Sequence, residues 1–175
     1  MNFPRWTLLL FASVAITFAA DKDESSKKPI EDAVFREPFT LKLHIDKEHF
    51  YEEKFDKIPF VCNGYVYLFR GDEFGLSVDV KDGSVRSVKY QPDVTKADVT
   101  LKFSQEIGTD GTVMMMLVIH NNTKYTLYMD GLMTVPNKKG VSKTTILPIR
   151  PGLGDYESWP HPIVQLALGN IRIKK

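Results

Sequence analysis

Residues 76–90 read LSVDVKDGSVRSVKY, and this stretch decides the fold class. Leu76, Val78 and Val80 alternate with Ser77, Asp79 and Lys81, the period-two pattern of a strand with one buried face. Asp82-Gly83 follows, a pair that supplies the positive φ values a tight hairpin demands, and Val85 to Tyr90 resumes as a second strand.

The same signal recurs on both sides. Upstream, Leu41, Leu43 and Ile45 alternate with Lys42, His44 and Asp46, which places His44 on a polar face. Downstream, Ala97, Val99, Leu101 and Phe103 form another apolar stripe. The turn from Gly108 to Gly111 leads into the apolar run Val113–Ile119, expected as a central strand buried on both sides. The polar residues 120–124 then predict a second hairpin, with Tyr125, Leu127 and Met129 pointing inward on the returning strand.

Pro136 to Gly140 predicts a chain reversal before a strand over about 141–149. A last strand is expected between Ile163 and Ile173. Prolines 148, 151, 160 and 162 predict an irregular loop from Arg150 to Pro162. The segment 46–57 alone has room for a helical turn or two. Together these segments predict a mainly β chain: a single antiparallel β-sandwich, immunoglobulin-like or similar, with about eight or nine strands and little helix.

The N-terminus reads differently. Arg5 precedes the apolar run Leu8–Phe18, which is signal-peptide length and shorter than the roughly 20 residues of a membrane span. Thr17 and Ala19 fit the small-residue positions of a signal peptidase site, so residues 1–19 are expected to be a signal peptide cut after Ala19. Residues 20–38 are expected to form a flexible, charged leader, and 39–175 the sandwich domain. The expected location is secreted or periplasmic, with no transmembrane segment after signal removal.

Charge and cysteine content narrow the function classes. Loss of Arg5 reduces the 23 basic residues to 22, matching the 22 acidic ones. Such neutrality argues against a nucleic-acid binder, whose affinity comes largely from phosphate neutralisation. Lys138, Lys139 and Lys143 read as a solvated face. Cys62 is the one cysteine, so no intramolecular disulfide can form. Its apolar neighbours Pro59, Phe60 and Val61 predict burial.

No catalytic or cofactor motif stands out. The sequence has no G-x-S-x-G elbow and no H-E-x-x-H, and the four histidines, 44, 49, 120 and 161, are dispersed. Met114 and Met116 fall on one strand face and Met115 on the other, which speaks against convergence on a copper ion. Arg70-Gly71-Asp72 matches the integrin-recognition tripeptide and reads more simply as a turn. Asn121-Asn122-Thr123 is a glycosylation sequon.

Residues 118–128, VIHNNTKYTLY, resemble a strand, Asn-rich turn and returning strand of exported bacterial immunoglobulin-like modules. That resemblance implies a fold and carries no function. The segment 150–162 combines shape-fixing glycines and prolines with Tyr156, Trp159 and His161. These three are the candidate partner-binding residues, because such aromatics dominate binding hot spots; the competing reading has Trp159 capping the open end of the sandwich.

The leading functional expectation is a non-catalytic exported protein docking a protein partner: an inhibitor, an immunity factor or an accessory subunit. The alternative is a small-ligand or copper carrier using a sandwich cavity or Met and His side chains. An enzyme of unfamiliar type would need a pocket lined by His44, His120 or His161 with carboxylates nearby.

Overall fold

The computed structural model describes residues 33–174. The expected signal peptide and residues 20–32 of the expected leader lie outside them. Twelve strands, all paired antiparallel, make a small two-stranded sheet and two five-stranded sheets that pack face to face as a β-sandwich. The strands are β1 (Phe39–His44), β2 (Phe50–Phe55), β3 (Val61–Cys62), β4 (Tyr65–Leu68), β5 (Glu73–Lys81), β6 (Ser84–Gln91), β7 (Val99–Ile107), β8 (Val113–Asn121), β9 (Thr126–Thr134), β10 (Ser142–Thr145), β11 (Gly154–Trp159) and β12 (Gln165–Lys174). One sheet has the order β10-β9-β12-β4-β3, the other β11-β8-β7-β5-β6, and β1 pairs with β2 alone.

Alternation builds the core. Phe74 and Leu76 from β5, Val99, Leu101 and Phe103 from β7, and Met115, Leu117 and Ile119 from β8 line one inner face. Val66 and Leu68, Leu127 and Met129, and Leu166 and Leu168 line the other. Removing these side chains from water at roughly 25 cal/mol per Å² is what opposes the chain entropy. The β5–β6 hairpin turns at Asp82 and Gly83, with φ of 52° and 76° as Asp-Gly predicts.

Several local expectations are corrected. The stretch 113–129 is not a hairpin: β8 pairs with β7 and β11, while β9 pairs with β10 and β12 in the opposite sheet. The polar turn carries the chain from one sheet to the other, and both strands contribute their inward side chains to the same core. β8 is buried on one face only, since Met114 and His120 on its other face are exposed.

The segment from Arg150 to Pro162 contains β11, a strand at the sheet edge. Pro151 and Pro160 flank it rather than interrupt it, which is where an edge strand tolerates proline. The segment 46–57 holds β2, whose Tyr51 and Phe55 lie half-buried on one face, instead of a helical turn. Cys62 is half-exposed rather than buried, because Val61 takes the inward position on the two-residue strand β3.

The packed domain begins ahead of Phe39, within the stretch expected to be a flexible leader. Arg36 is buried, and its guanidinium donates to Asp72 Oδ2 at 2.5 Å, Tyr67 O at 2.6 Å and Pro59 O at 3.1 Å. It also sits 4.0 Å from the centroid of the Phe60 ring. A buried cation persists only when paired in this way.

Candidate binding face

The outer face of the β10-β9-β12-β4-β3 sheet departs from the water-facing norm of an antiparallel sheet. Tyr65 and Tyr67 share a face on β4, since residues two apart on a strand point the same way. Their ring centroids lie 6.4 Å apart with planes inclined by 32°. Ala167 on β12 pairs with Tyr67, and Leu132 on β9 pairs with Ala167, so an aromatic and aliphatic row crosses three strands. Val141, just ahead of β10, closes one side.

These residues, with Asn63, Thr134 and Gln165, line a shallow groove of about 300 Å³. No charged side chain lines it. Burial, with Cys62 and Tyr65 alongside, raises the Tyr67 hydroxyl above its usual pKa and keeps it a neutral donor. Among the described residues, the side chains of Asn63, Thr134 and Gln165 and the hydroxyls of Tyr65 and Tyr67 make no hydrogen bond within the domain. Elsewhere the domain uses its amides: Gln105 bonds both the N–H and the carbonyl of His44.

Gly169 fixes the position of Tyr65. A Cβ at residue 169 would come within 2.6 Å of Tyr65 Cδ1, so the ring occupies the space a side chain there would need. Beyond Tyr65 the face becomes charged. Asp130 accepts from Asn170 at 2.8 Å and from Arg172 at 3.2 Å, and with Lys143, Tyr128 and Glu157 these line a broader, open groove running toward β11. The hydrogen bond from Asn170, then the nearby Arg172 and Lys143 charges, lower the Asp130 pKa, so its carboxylate stays ionised. Tyr65 borders both grooves.

The three residues singled out from the sequence are not brought together on one surface. Trp159 is 8% exposed, meets Phe103 edge-on and donates its indole N–H to Thr144 Oγ1 at 2.8 Å, joining β11 to β10 of the opposite sheet. Tyr156, on the outer side of β11, is 71% exposed. His161 is half-buried, its Nδ1 3.2 Å from Pro162 O. Neither groove is lined by a histidine.

Other sequence motifs are occupied by folding. Asn121, the sequon residue, is 0% exposed. Its amide donates to Tyr125 O and Ile149 O, while its Oδ1 accepts from Thr123 N and Oγ1. In the folded domain it cannot receive a glycan. Within Arg70-Gly71-Asp72, Arg70 and Gly71 are exposed, but the Asp72 carboxylate is committed to Arg36 and to the Phe69 N–H, so the tripeptide does not present a free carboxylate. Among the described residues, no group of three or more His, Cys, Asp or Glu is placed to hold a metal ion. Met115 is buried while Met114 is exposed on the opposite face of β8.

The sequence reading missed Tyr65, Tyr67, Leu132 and Ala167 as a group. Alternation of Tyr65-Val66-Tyr67-Leu68 was available as a signal that both rings share a face. That β12 would lie between β4 and β9 was not. Comparison of the chain with protein-family models, curated proteins and solved structures finds no match in any of the three. No helix among the described residues is long and apolar enough to cross a membrane.

Proposed function

We propose that this chain is an exported, non-catalytic binding protein that docks a protein partner on the outer face of its β10-β9-β12-β4-β3 sheet. The observation that carries this reading is the uncharged groove holding Tyr65, Tyr67, Leu132 and Ala167. Partner-facing patches are enriched in tyrosine and depleted in charge at their centre, with a polar rim. The Asp130, Arg172 and Lys143 flank supplies such a rim. Export rests on Arg5, the Leu8–Phe18 run and the small residues Thr17 and Ala19, and places the encounter in the periplasm or outside the cell.

A photo-cross-linking amino acid at position 141 tests the docking face, with position 86 on β6 of the other sheet as reference. Irradiation in the producing cell should give one discrete protein adduct from position 141, none from position 86, and none from position 141 when Leu132→Asp is added. Equal adducts at both positions, or none at 141, would overturn the reading. A second reading, a small-ligand carrier, is favoured by the groove volume of about 300 Å³, which falls at the lower end of small-molecule sites. Native mass spectrometry of the purified protein would then show added mass lost on Leu132→Asp.

A further inference from the structure

We propose that Asp155 and Glu157 share a single proton that latches the edge strand β11 to the segment 146–149, and that losing it opens this seam between the sheets. That segment belongs to the opposite side of the sandwich, where Ile149 bridges to Leu127 on β9. The device does not depend on what the outer face docks. Residues two apart on a strand share a face, and on β11 Asp155, Glu157 and Trp159 point inward while Tyr156 and Ser158 are exposed. Their partners on β8 are Ile119, Leu117 and Met115, each 0% exposed, so two carboxyls sit at the rim of an apolar core.

Asp155 Oδ2 is buried, and among the described residues nothing donates to it. An orphaned carboxylate oxygen in such a place is costly and requires a donor. Glu157 stands only about 6.6 Å further along the strand and reaches back with a longer side chain, so its carboxyl O–H supplies that donor. Its other oxygen, Oε1, accepts the Leu147 N–H at 2.7 Å. One protonated carboxyl thus bonds Asp155 within β11 and Leu147 across the seam. The Trp159 indole N–H, donated to Thr144 Oγ1 at 2.8 Å, fastens the next inward position of β11 to β10 and carries no charge that could change.

Release of the proton to water leaves two like charges on one face. Burial chiefly raises the Glu157 carboxyl pKa, and with Asp155 it outweighs the Leu147 N–H, which alone would favour the charged form. The facing elements bring no compensating charge: β8 presents Leu117 and Ile119, and the segment 146–149 is Ile-Leu-Pro-Ile. Tyr65, Tyr128, Asp130, Lys143 and Arg172 share the broad groove with Glu157, and of the charged groups only Asp155 shifts its carboxyl. The charged Glu157 side chain therefore leaves for solvent and Leu147 loses its acceptor. The groove, lined here by Leu147, Pro148, Glu157 and Trp159, then widens at its β11 end.

The test is NMR of the purified protein from about pH 4 to about pH 8, a range that spans ordinary carboxyl titration. Side-chain carboxyl shifts should show Asp155 and Glu157 titrating as a coupled pair, the upper step lying above the ordinary glutamate value. Across that step the protection of the Leu147 amide, corrected for the intrinsic pH dependence of exchange, should fall by at least about tenfold. Protection of the Leu127 N–H, bonded to Ile149 O, should change by less than about twofold. Glu157→Gln holds a permanent donor for Asp155 and an acceptor for Leu147, and Asp155→Asn holds a permanent donor for Glu157, so both should keep Leu147 protected throughout. Independent titration of the two carboxyls in the unmodified protein, Leu147 protection that stays level or rises with pH, or the same fall in both variants would overturn the proposal. The position-141 adduct reports separately on the docking face.

Discussion

The ring of Tyr65 on β4 fills the space above Gly169 on β12, where an added Cβ would lie 2.6 Å from Tyr65 Cδ1. Glycine at 169 is thus a steric requirement of the ring's position, with no positive φ involved. Gly169→Ala should cost about 1 kcal/mol, the lower end of overpacking penalties, because an exposed ring can swing aside. In a Tyr65→Ala background the same substitution should cost almost nothing. Urea unfolding of the four proteins gives the coupling; strict additivity would show that the ring does not depend on the glycine.

Arg36 and Asp72 form a pair whose halves are unequal in their consequences. Asp72→Ala leaves the guanidinium buried against Phe60 without its counter-charge and should cost about 3 kcal/mol. Arg36→Met removes the buried charge, keeps apolar contact with the aromatic cluster and should cost less. Thermal or urea unfolding of the two variants decides the order, and the reverse order would mean that Asp72 is not there to neutralise Arg36.

Asn121 closes the crossing from β8 to β9 with four hydrogen bonds from one buried amide. Asn121→Ala removes all four bonds, at about 1 kcal/mol net for each, although the Tyr125 carbonyl keeps Thr123 Oγ1 and the Ile149 carbonyl keeps the Leu127 N–H. Equilibrium unfolding should show a loss of at least about 2 kcal/mol on that scale, and hydrogen exchange should quicken in residues 121–127. A loss under about 0.5 kcal/mol would place Asn121 among ordinary surface substitutions.

Glu157 gives stability a pH dependence of defined sign. Burial chiefly raises its carboxyl pKa, the Leu147 N–H donated at 2.7 Å opposes this, and the neighbouring Asp155 adds to the rise. The folded state therefore holds this proton at pH values where the unfolded chain has released it. The contribution is complete below the unfolded glutamate value of about 4.3 and is lost as pH rises through the higher folded value. Unfolding free energy measured across that window should fall with pH more steeply for the native protein than for Glu157→Gln, which keeps an acceptor for Leu147. Parallel profiles would remove Glu157 as the cause.

Which residues point inward was legible one strand at a time. Leu41, Leu43, Leu76, Val99, Leu101 and Phe103 are all buried, as their alternation with polar neighbours requires. The Asp82-Gly83 turn was equally plain, because a hairpin of that kind is decided by the local φ preferences of two residues. β11 was hidden for the opposite reason. It is an edge strand on which Trp159 alone is buried, so its sequence carries almost no alternation and its flanking prolines mimic a loop.

Partnership between strands lay beyond the sequence. Residues 113–129 carry the same alternation whether β8 and β9 pair side by side or face each other across the core, since side-chain period records burial and not the identity of the neighbour. The choice falls to long-range contacts: Asn121 bonding Ile149 O, and β12 entering between β9 and β4.

The candidate binding face has the same origin. Tyr65 and Tyr67 share a face by strand geometry alone, which the sequence determined. Their meeting with Ala167 and Leu132, about 100 and 65 residues away along the chain, was decided only when three strands distant in sequence became neighbours in one sheet. Hydrophobic patterning is a local consequence of burial, whereas a surface groove is a product of which strands are adjacent.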